Sequence, residues 1–392
     1  MNIKTEIPAH ESGVFLLVML ALGIVAPTVF WGLPAIIGQV ARQWGFGEAN
    51  LGIAVLGEVT GMAAGTLLVA FTLANRPVRG TLASAIVIAA AANALMYQVH
   101  AFPMYVVLRV AAGIGSGAIS GIAMSYLSYT KAPERNIGLL VMGQVLWSMV
   151  LLGFILPKIG ELWGATGTFV LVALVIAVFL PAAWMFGRNE AFVSLESATN
   201  EMVDRRGVWL SLGCLLTLYF GVGVVWTFLE GVGMQAGLSE SQVSETLTIA
   251  NLASIVACIV MPRLGRGSGL RRWALVNIAA CTLSAVALAL APSASRFPVA
   301  AIVFVVAWTG ATTLIFATIP QYDRVGRYAA LSPGFLSLGF GIGSAVGGEL
   351  LETVSTKAAL GVAAVFCAIS VFLYGALRGA HESPHVGAVE SH

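Results

Sequence analysis

The chain has 392 residues, 58% of them hydrophobic and only 10% charged, with a mean hydropathy of +0.92. A soluble domain keeps about a quarter of its residues charged, so the composition excludes an ordinary water-soluble protein and makes lipid the solvent. The formal net charge of +2 is uninformative; where the charges sit says more.

Twelve apolar stretches follow one another near 13–37, 50–73, 81–98, 104–128, 137–157, 168–187, 208–231, 243–262, 273–291, 298–319, 332–351 and 358–377. Each is about 20 residues, the length a helix needs to cross the hydrocarbon core. Lipid cannot satisfy free backbone amides, so the spans are expected to be helices. Alternating segments of about ten residues, the mark of a membrane barrel, do not occur. The first stretch reads as a retained span, since no small-residue cleavage site follows its apolar run. Cys214, Cys258, Cys281 and Cys367 all fall within spans and show no CxxC or His–Cys spacing, which argues against a disulfide framework or a zinc site.

With the N-terminus placed in the cytoplasm, fifteen Lys and Arg residues fall in inside loops and four (Arg42, Lys158, Arg296, Lys357) in outside ones. This positive-inside bias puts both termini in the cytoplasm of a cell whose inner membrane holds the protein. The basic residues are scattered over loops on one side of the membrane, so a nucleic-acid surface is rejected. The longest interior loop, 188–207, is rich in charge and separates six spans from six. The expected organisation is an N-terminal six-helix bundle (1–187), a cytoplasmic linker (188–207), a C-terminal six-helix bundle (208–378) and a cytoplasmic tail (379–392).

The two halves resemble each other. Gly45-Phe46-Gly47-Glu48 before span 2 matches Gly237-Leu238-Ser239-Glu240 before span 8, and Arg79 matches Arg271, both at an offset of 192. Phe102-Pro103 and Phe297-Pro298 open spans 4 and 10 at an offset of 195. Gly143, Pro157 and Gly160 match Ala330, Ser344 and Gly347 at 187. Parallel repeats of six spans, related by an axis along the membrane normal, are a transporter architecture with a central site.

Three regions extend that reading. The loop after span 2 contains Gly65-Thr66-Leu67 and then Asn75-Arg76-Pro77-Val78-Arg79-Gly80; span 4 contains Leu108-Arg109-Val110-Ala111-Ala112-Gly113-Ile114-Gly115; span 11 carries Gly339, Gly343, Ser344, Gly347 and Gly348. Over essentially its whole length the chain resembles the major facilitator superfamily. The loop is similar to that family's cytoplasmic basic signature without its usual Asp. The span 4 segment is similar to the motif with a buried arginine. The glycine series is similar to one that antiporters of the family carry in span 5, where only Gly143, Pro157 and Gly160 fit here. The resemblance implies an all-α membrane protein of twelve transmembrane helices in two pseudo-symmetric bundles, with spans 1, 4, 7 and 10 lining the pathway. It also implies that a monomer suffices.

The titratable inventory is sparse. The five histidines lie in termini or loops, and the only aspartates, Asp204 and Asp323, lie in cytoplasmic loops. Membrane proteases and metalloenzymes need His or carboxylate clusters within spans, so neither an enzyme nor a metal site is expected. No Walker-type loop is present and no cofactor is expected, which leaves an ion or solute gradient as the energy source.

A charge inside a span costs about 2.5–3.5 kcal/mol on insertion scales and asks for an explanation. Glu58 lies roughly 12 Å and Arg109 roughly 9 Å into their spans, counted from the same side at 1.5 Å per residue. They are expected to pair or to share a water-filled cavity. Glu58 is either a protonatable coupling site, with Arg109 as its partner or as counter-ion for an anionic substrate, or half of a static ion pair. Glu230 ends span 7 on one face with Tyr219, Gly223 and Trp226 and is the other coupling candidate. Glu245, Glu349 and Glu352 read as interfacial. Trp308, Thr312 and Phe316 form a stripe on span 10, and Thr28 and Trp31 sit on span 1 near Pro27 and Pro34. With Arg109, Tyr219 and Trp226 these are the candidate cavity residues, and they suit a small organic solute of mixed polarity. Arg76, Arg79, Asp323 and Arg327 are candidate cytoplasmic gating groups. The sequence therefore predicts a secondary active transporter, proton-coupled as a symporter or antiporter, with a multidrug/proton antiporter as the alternative.

Overall fold

Proline, glycine and a few polar residues decide where the apolar stretches stop, bend or break. The computed structural model describes residues 13–72, 77–99, 101–128, 130, 133–187, 204–265, 269–290, 293–322 and 331–377. Among these there is no strand. Span 1 comprises α1 (Gly13–Val25), α2 (Thr28–Trp31) and α3 (Leu33–Trp44). Spans 2 to 4 are α4 (Glu48–Thr72), α5 (Val78–Ala94) and α6 (Phe102–Ser128). Span 5 is α7 (Pro133–Val150), continuing through a π-helical turn at Leu151–Ile155 into α8 (Leu156–Ala177), whose later part is span 6. Spans 7 to 12 are α9 (Arg205–Gln235), α10 (Glu240–Leu264), α11 (Gly269–Leu290), α12 (Phe297–Tyr322), α13 (Ser332–Thr353) and α14 (Thr356–Gly375).

Ten helical runs are long and apolar enough to cross a bilayer, and one of them, Arg135–Met185, is 51 residues long and holds spans 5 and 6. The chain reverses inside it at Gly164, with φ 62° and ψ −158°. That region of backbone space is open to glycine alone. With the broken first span this makes twelve. Gly45 (φ 66°) stops α3 and Gly237 (φ 92°) follows α9, so the repeat 192 residues apart uses the same left-handed stop in both halves. In the second half the next helix opens with a full capping box between Ser239 and Gln242. We call the end of the bundle carrying Gly45, Gly164 and Gly237 the glycine-turn face.

The first span departs from the expected unbroken helix over 13–37. Pro27 and Pro34 lack backbone donors, and the helix breaks at 26–27 and again at Gly32 before running on to Trp44. Neighbouring side chains satisfy the polar groups of the break. From α7, Gln144 Nε2 donates to Gly23 O (2.9 Å), Ser148 Oγ to Trp31 O (2.9 Å) and Trp147 Nε1 to Thr28 Oγ1 (3.0 Å). From α9, Trp226 Nε1 donates to Phe30 O at 3.3 Å. In span 5, Pro157 lacks the N–H that would bond four residues back, and the helix widens there, with Leu156 N–H reaching Leu151 O.

Glycine packs the spans. A Cβ at Gly61 or Gly65 would strike the Val110 or Ile114 carbonyl of α6, and one at Gly113 or Gly117 would strike α4 in return. Between the halves, Gly52 of α4 lies on Ser344 of α13, and Gly348 of α13 lies on the Glu48 carbonyl. Gly339 and Gly343 seat α13 against Leu216 and Phe220 of α9. Without a hydrophobic drive between helices in lipid, such close backbone approach supplies the association energy. The span 11 glycines thus pack one side against α9 and the other against the first half.

Candidate functional site

Three places hold the chemistry: a cavity between the halves, a buried ion pair inside the first half, and an ion-pair cluster joining the halves at the glycine-turn face.

The cavity has a volume of about 430 Å³. Its walls come from α2 (Phe30, Trp31), α7 (Gln144), α9 (Tyr219), α10 (Asn251), α12 (Trp308, Thr309, Thr312, Phe316) and α13 (Leu336). Among the described residues no Asp, Glu, Lys, Arg or His side chain lines it. Tyr219 and Thr312 hydroxyls lie 3.2 Å apart. Since the Thr312 hydroxyl donates to Trp308 O at 2.9 Å, Tyr219 is the donor of that pair. Trp308 stands edge-on to Tyr219, with ring centroids 6.1 Å apart. Behind it Trp226, fully buried, lies 5.5 Å from Trp308.

Of the expected cavity residues, Trp31, Tyr219, Trp308, Thr312 and Phe316 line this space. Trp226 and Thr28 stand behind the wall, Trp226 supporting Trp308 and Thr28 holding the break of span 1. Arg109 is not at the cavity. Gln144, Asn251 and Thr309 were missed by the sequence reading, because neutral polar groups hardly lower the hydropathy of a span.

Arg109 is 1% exposed and Glu58 6%. The guanidinium grips the carboxylate at both ends: Nε donates to Glu58 Oε2 at 3.2 Å, and Nη2 to Oε1. Nη1 donates to Asn93 Oδ1 of α5 at 3.0 Å. The guanidinium carbon lies 5.2 Å from the Phe169 ring centroid. Tyr105 and Trp44 pack around that ring, Trp44 stacked on it at 5.8 Å. Every partner belongs to the first six spans. Of the two arrangements expected for Glu58 and Arg109, the direct pair forms, and an aromatic shell encloses it.

Glu230, 4% exposed, accepts from Arg42 Nη1 at 3.0 Å, and Arg42 Nη2 reaches Glu240 Oε1 at 2.9 Å. The Arg42 and Glu240 side chains are 40% and 41% exposed. Arg42 comes from the end of α3 and both carboxylates come from the second half, so one cation joins the halves. Gly38 makes room, since a Cβ there would meet the Glu230 carboxylate. Close by, Glu352 Oε2 of α13 accepts from the Ala49 N–H of α4 at 2.9 Å, a second bond between halves. Arg42 was recoverable from sequence: a carboxylate at the end of an apolar span needs a cation, and only four were expected on that side. Glu245 and Glu349 are exposed, as interfacial groups are.

Arg79 lies over the Trp184 ring at 5.4 Å, within the first half. Arg76, Asp323 and Arg327 lie outside the described residues.

The model of the Major Facilitator Superfamily matches residues 14–322. The crystal structure of an Asp-to-Ala variant of the nucleoside transporter NupG superposes with a TM-score of 0.74 at 12% identity, covering 93% of this chain and 99% of that one. The crystal structure of the nucleoside transporter NupG gives 0.69 at 13% identity, covering 94% and 99%. At these identities the likeness is one of fold. No curated protein matches the sequence significantly. The chain belongs to the Major Facilitator Superfamily; it is a multi-pass membrane transporter and not an enzyme.

Proposed function

We propose that this superfamily member is a secondary active transporter that carries a small, uncharged organic solute by alternating access, coupled to protons. The observation that carries the reading is the cavity of about 430 Å³ between the halves, walled by aromatic and aliphatic side chains, hydroxyls and amides and, among the described residues, by no carboxylate, Lys, Arg or His. A charged solute there would find no counter-charge, and burying it would cost several kcal/mol. A planar, hydroxylated, neutral molecule finds rings to stack on and groups to bond. A nucleoside, the solute in the printed name of NupG, is one such molecule.

The first half (1–187) and the second (208–378), joined by 188–207, rock about this cavity, with the tail 379–392 outside the bundles. The glycine-turn face is the outer face of a cell inner membrane and both termini are cytoplasmic, following the basic residues of the opposite loops. Contacts between halves gather at the outer face: Arg42 with Glu230 and Glu240, Ala49 with Glu352, Gly348 against Glu48. Phe316, Cys258 and Leu336, toward the other ends of their helices, still line the cavity. Among the described residues these contacts support a conformation open toward the cytoplasm. One chain encloses the whole cavity, so a monomer suffices.

Glu230 is the coupling carboxylate. Protonating it removes its attraction to Arg42 and frees the outer end to open. Glu58, enclosed with Arg109 inside one half, pins that half together. Arg76, Asp323 and Arg327 are the charged groups available to close the cytoplasmic end in the opposite state. The test is flux into proteoliposomes: a pH gradient should drive solute movement in wild-type protein, and Trp308→Ala should abolish it. Gradient-independent flux would remove the proton from the mechanism. The largely apolar wall also favours an exporter of amphipathic drugs in exchange for protons; for that reading, drug must leave the cytoplasmic side against its gradient.

A further inference from the structure

The polar atoms of the cavity are unevenly supplied. Gln144 Nε2 is committed to Gly23 O at 2.9 Å, and Asn251 Nδ2 to Leu247 O at 2.9 Å. Each amide is thereby held in one orientation. Its carbonyl oxygen is left without a partner among the described residues, and both side chains line the cavity. The threonines repeat the pattern. Thr309 and Thr313 donate their hydroxyl protons to Val305 O and Thr309 O, both at 2.9 Å, so what they turn to the cavity is oxygen lone pairs. Set against these acceptors are the second N–H of each amide and one indole. The indole N–H of Trp31 has no protein partner among the described residues, and the ring lines the same space. Gln144 and Trp31 belong to the first half, Asn251 and the threonines to the second.

We propose that Gln144 and Asn251 are the specificity-determining residues of this cavity. Their side-chain carbonyls accept hydrogen bonds from two N–H or O–H groups of one uncharged solute, while Trp31 donates to an acceptor on it. The inference rests on the reading of the cavity as the transport site and narrows its substrate to donor-rich neutral molecules. A ligand without donors strips water from these oxygens and returns nothing, which is how a hydrogen-bonding site rejects an apolar isostere. A charged ligand meets no opposite charge. The two amides lie on α7 and α10, and the π-helical turn that continues α7 meets α10 between halves where Ser244 Oγ donates to Leu152 O and where Thr248 packs on Gly153. A solute bonded to both amides therefore ties the halves together beside their own contact.

The experiment measures thermal shift and binding on the purified full-length protein. The probes are uridine, adenosine and cytidine, each with its fully N- and O-methylated counterpart and its 5′-monophosphate. At least one nucleoside should bind, and its methylated and phosphorylated counterparts should bind at least tenfold more weakly. Asn251→Leu, whose ligand-free melting temperature should stay near wild type because the Leu247 carbonyl keeps its helical bond, should weaken binding at least tenfold. Gln144→Leu should do the same if its own melting temperature is kept. A methylated probe binding as well as its parent overturns the inference. So does Asn251→Leu binding like wild type while Trp308→Ala loses binding; the cavity then survives as the site without its amide code. If Trp308→Ala also binds normally, or none of the nucleosides binds, the reading of the cavity as a site for such solutes falls too.

Discussion

The first half contains a charge pair, and the boundary between halves contains another, with nearly opposite surroundings. Arg109 and Glu58 are held at both ends of the carboxylate, joined by Asn93 and enclosed by rings. Arg42 is 40% exposed and divides itself between Glu230, buried, and Glu240, 41% exposed. A fully enclosed pair is costly to break because the survivor is left desolvated, whereas a partly hydrated cluster exchanges partners with water at little cost. The alternating access proposed above needs both properties: halves that stay rigid and a boundary that opens. The placement of each cluster matches one of them.

The sharpest way to break the comparison is Arg109→Met. It strands Glu58 in a desolvated site, and a loss of about 3–5 kcal/mol should appear as a large drop in melting temperature in detergent. A stable variant would mean that the aromatic shell admits water. Next in size is Glu230→Gln. Losing a charge-assisted hydrogen bond of about 1.5–3 kcal/mol should raise thiol labelling of a cysteine placed at Leu51 by roughly tenfold or more, with the melting temperature little changed. Equal labelling would show that the glycine contacts, not the ions, hold the glycine-turn end closed. Lowering the pH should open the glycine-turn end in the same direction, because protonated carboxylates no longer attract Arg42. A Glu230→Gln, Glu240→Gln double variant should lose that pH response. Glu240→Gln alone touches an exposed pair worth about 0.2–1 kcal/mol, and its labelling change should be at most about fivefold. Smallest is salt: raising ionic strength to about 1 M shortens the screening length to roughly 3 Å. That should weaken the Arg42 cluster slightly and leave the Arg109 pair untouched, as read by labelling and melting in parallel.

The spans were legible because lipid imposes length and polarity on every one of them, and the repeat was legible because Gly45 and Gly237 answer the same geometric need. The Glu58–Arg109 pair could be read from depth, since both charges lay at similar distances from one side. Three features escaped for physical reasons. α3 continues to Trp44 although Gln39, Arg42 and Gln43 lower its hydropathy. Gln39 bonds Leu156 O and Thr168, and Gln43 bonds Thr166, partners that no window of local sequence contains. Arg42 meets Glu230 across 188 positions, and although a cation was called for on that side, which of the four it is emerges only after folding. Gln144 and Asn251 looked like tolerated amides, and their meaning depends on which of their atoms is already engaged.

The interrupted first span has a mechanical consequence. Its first piece is fastened to α7 by Gln144, and its middle piece, α2, by Trp147 at Thr28 and Ser148 at Trp31, all within one half. The other half reaches it at the Phe30 carbonyl of α2 and at Arg42 near the tip of α3, whose Gln39 and Gln43 also bond the first half. A continuous rod anchored at both places would transmit any tilt of the second half along its full length. A rod jointed at Pro27 and Gly32 lets its pieces shift separately from the root, and the second joint sits beside Trp31, where a passenger would feel the shift.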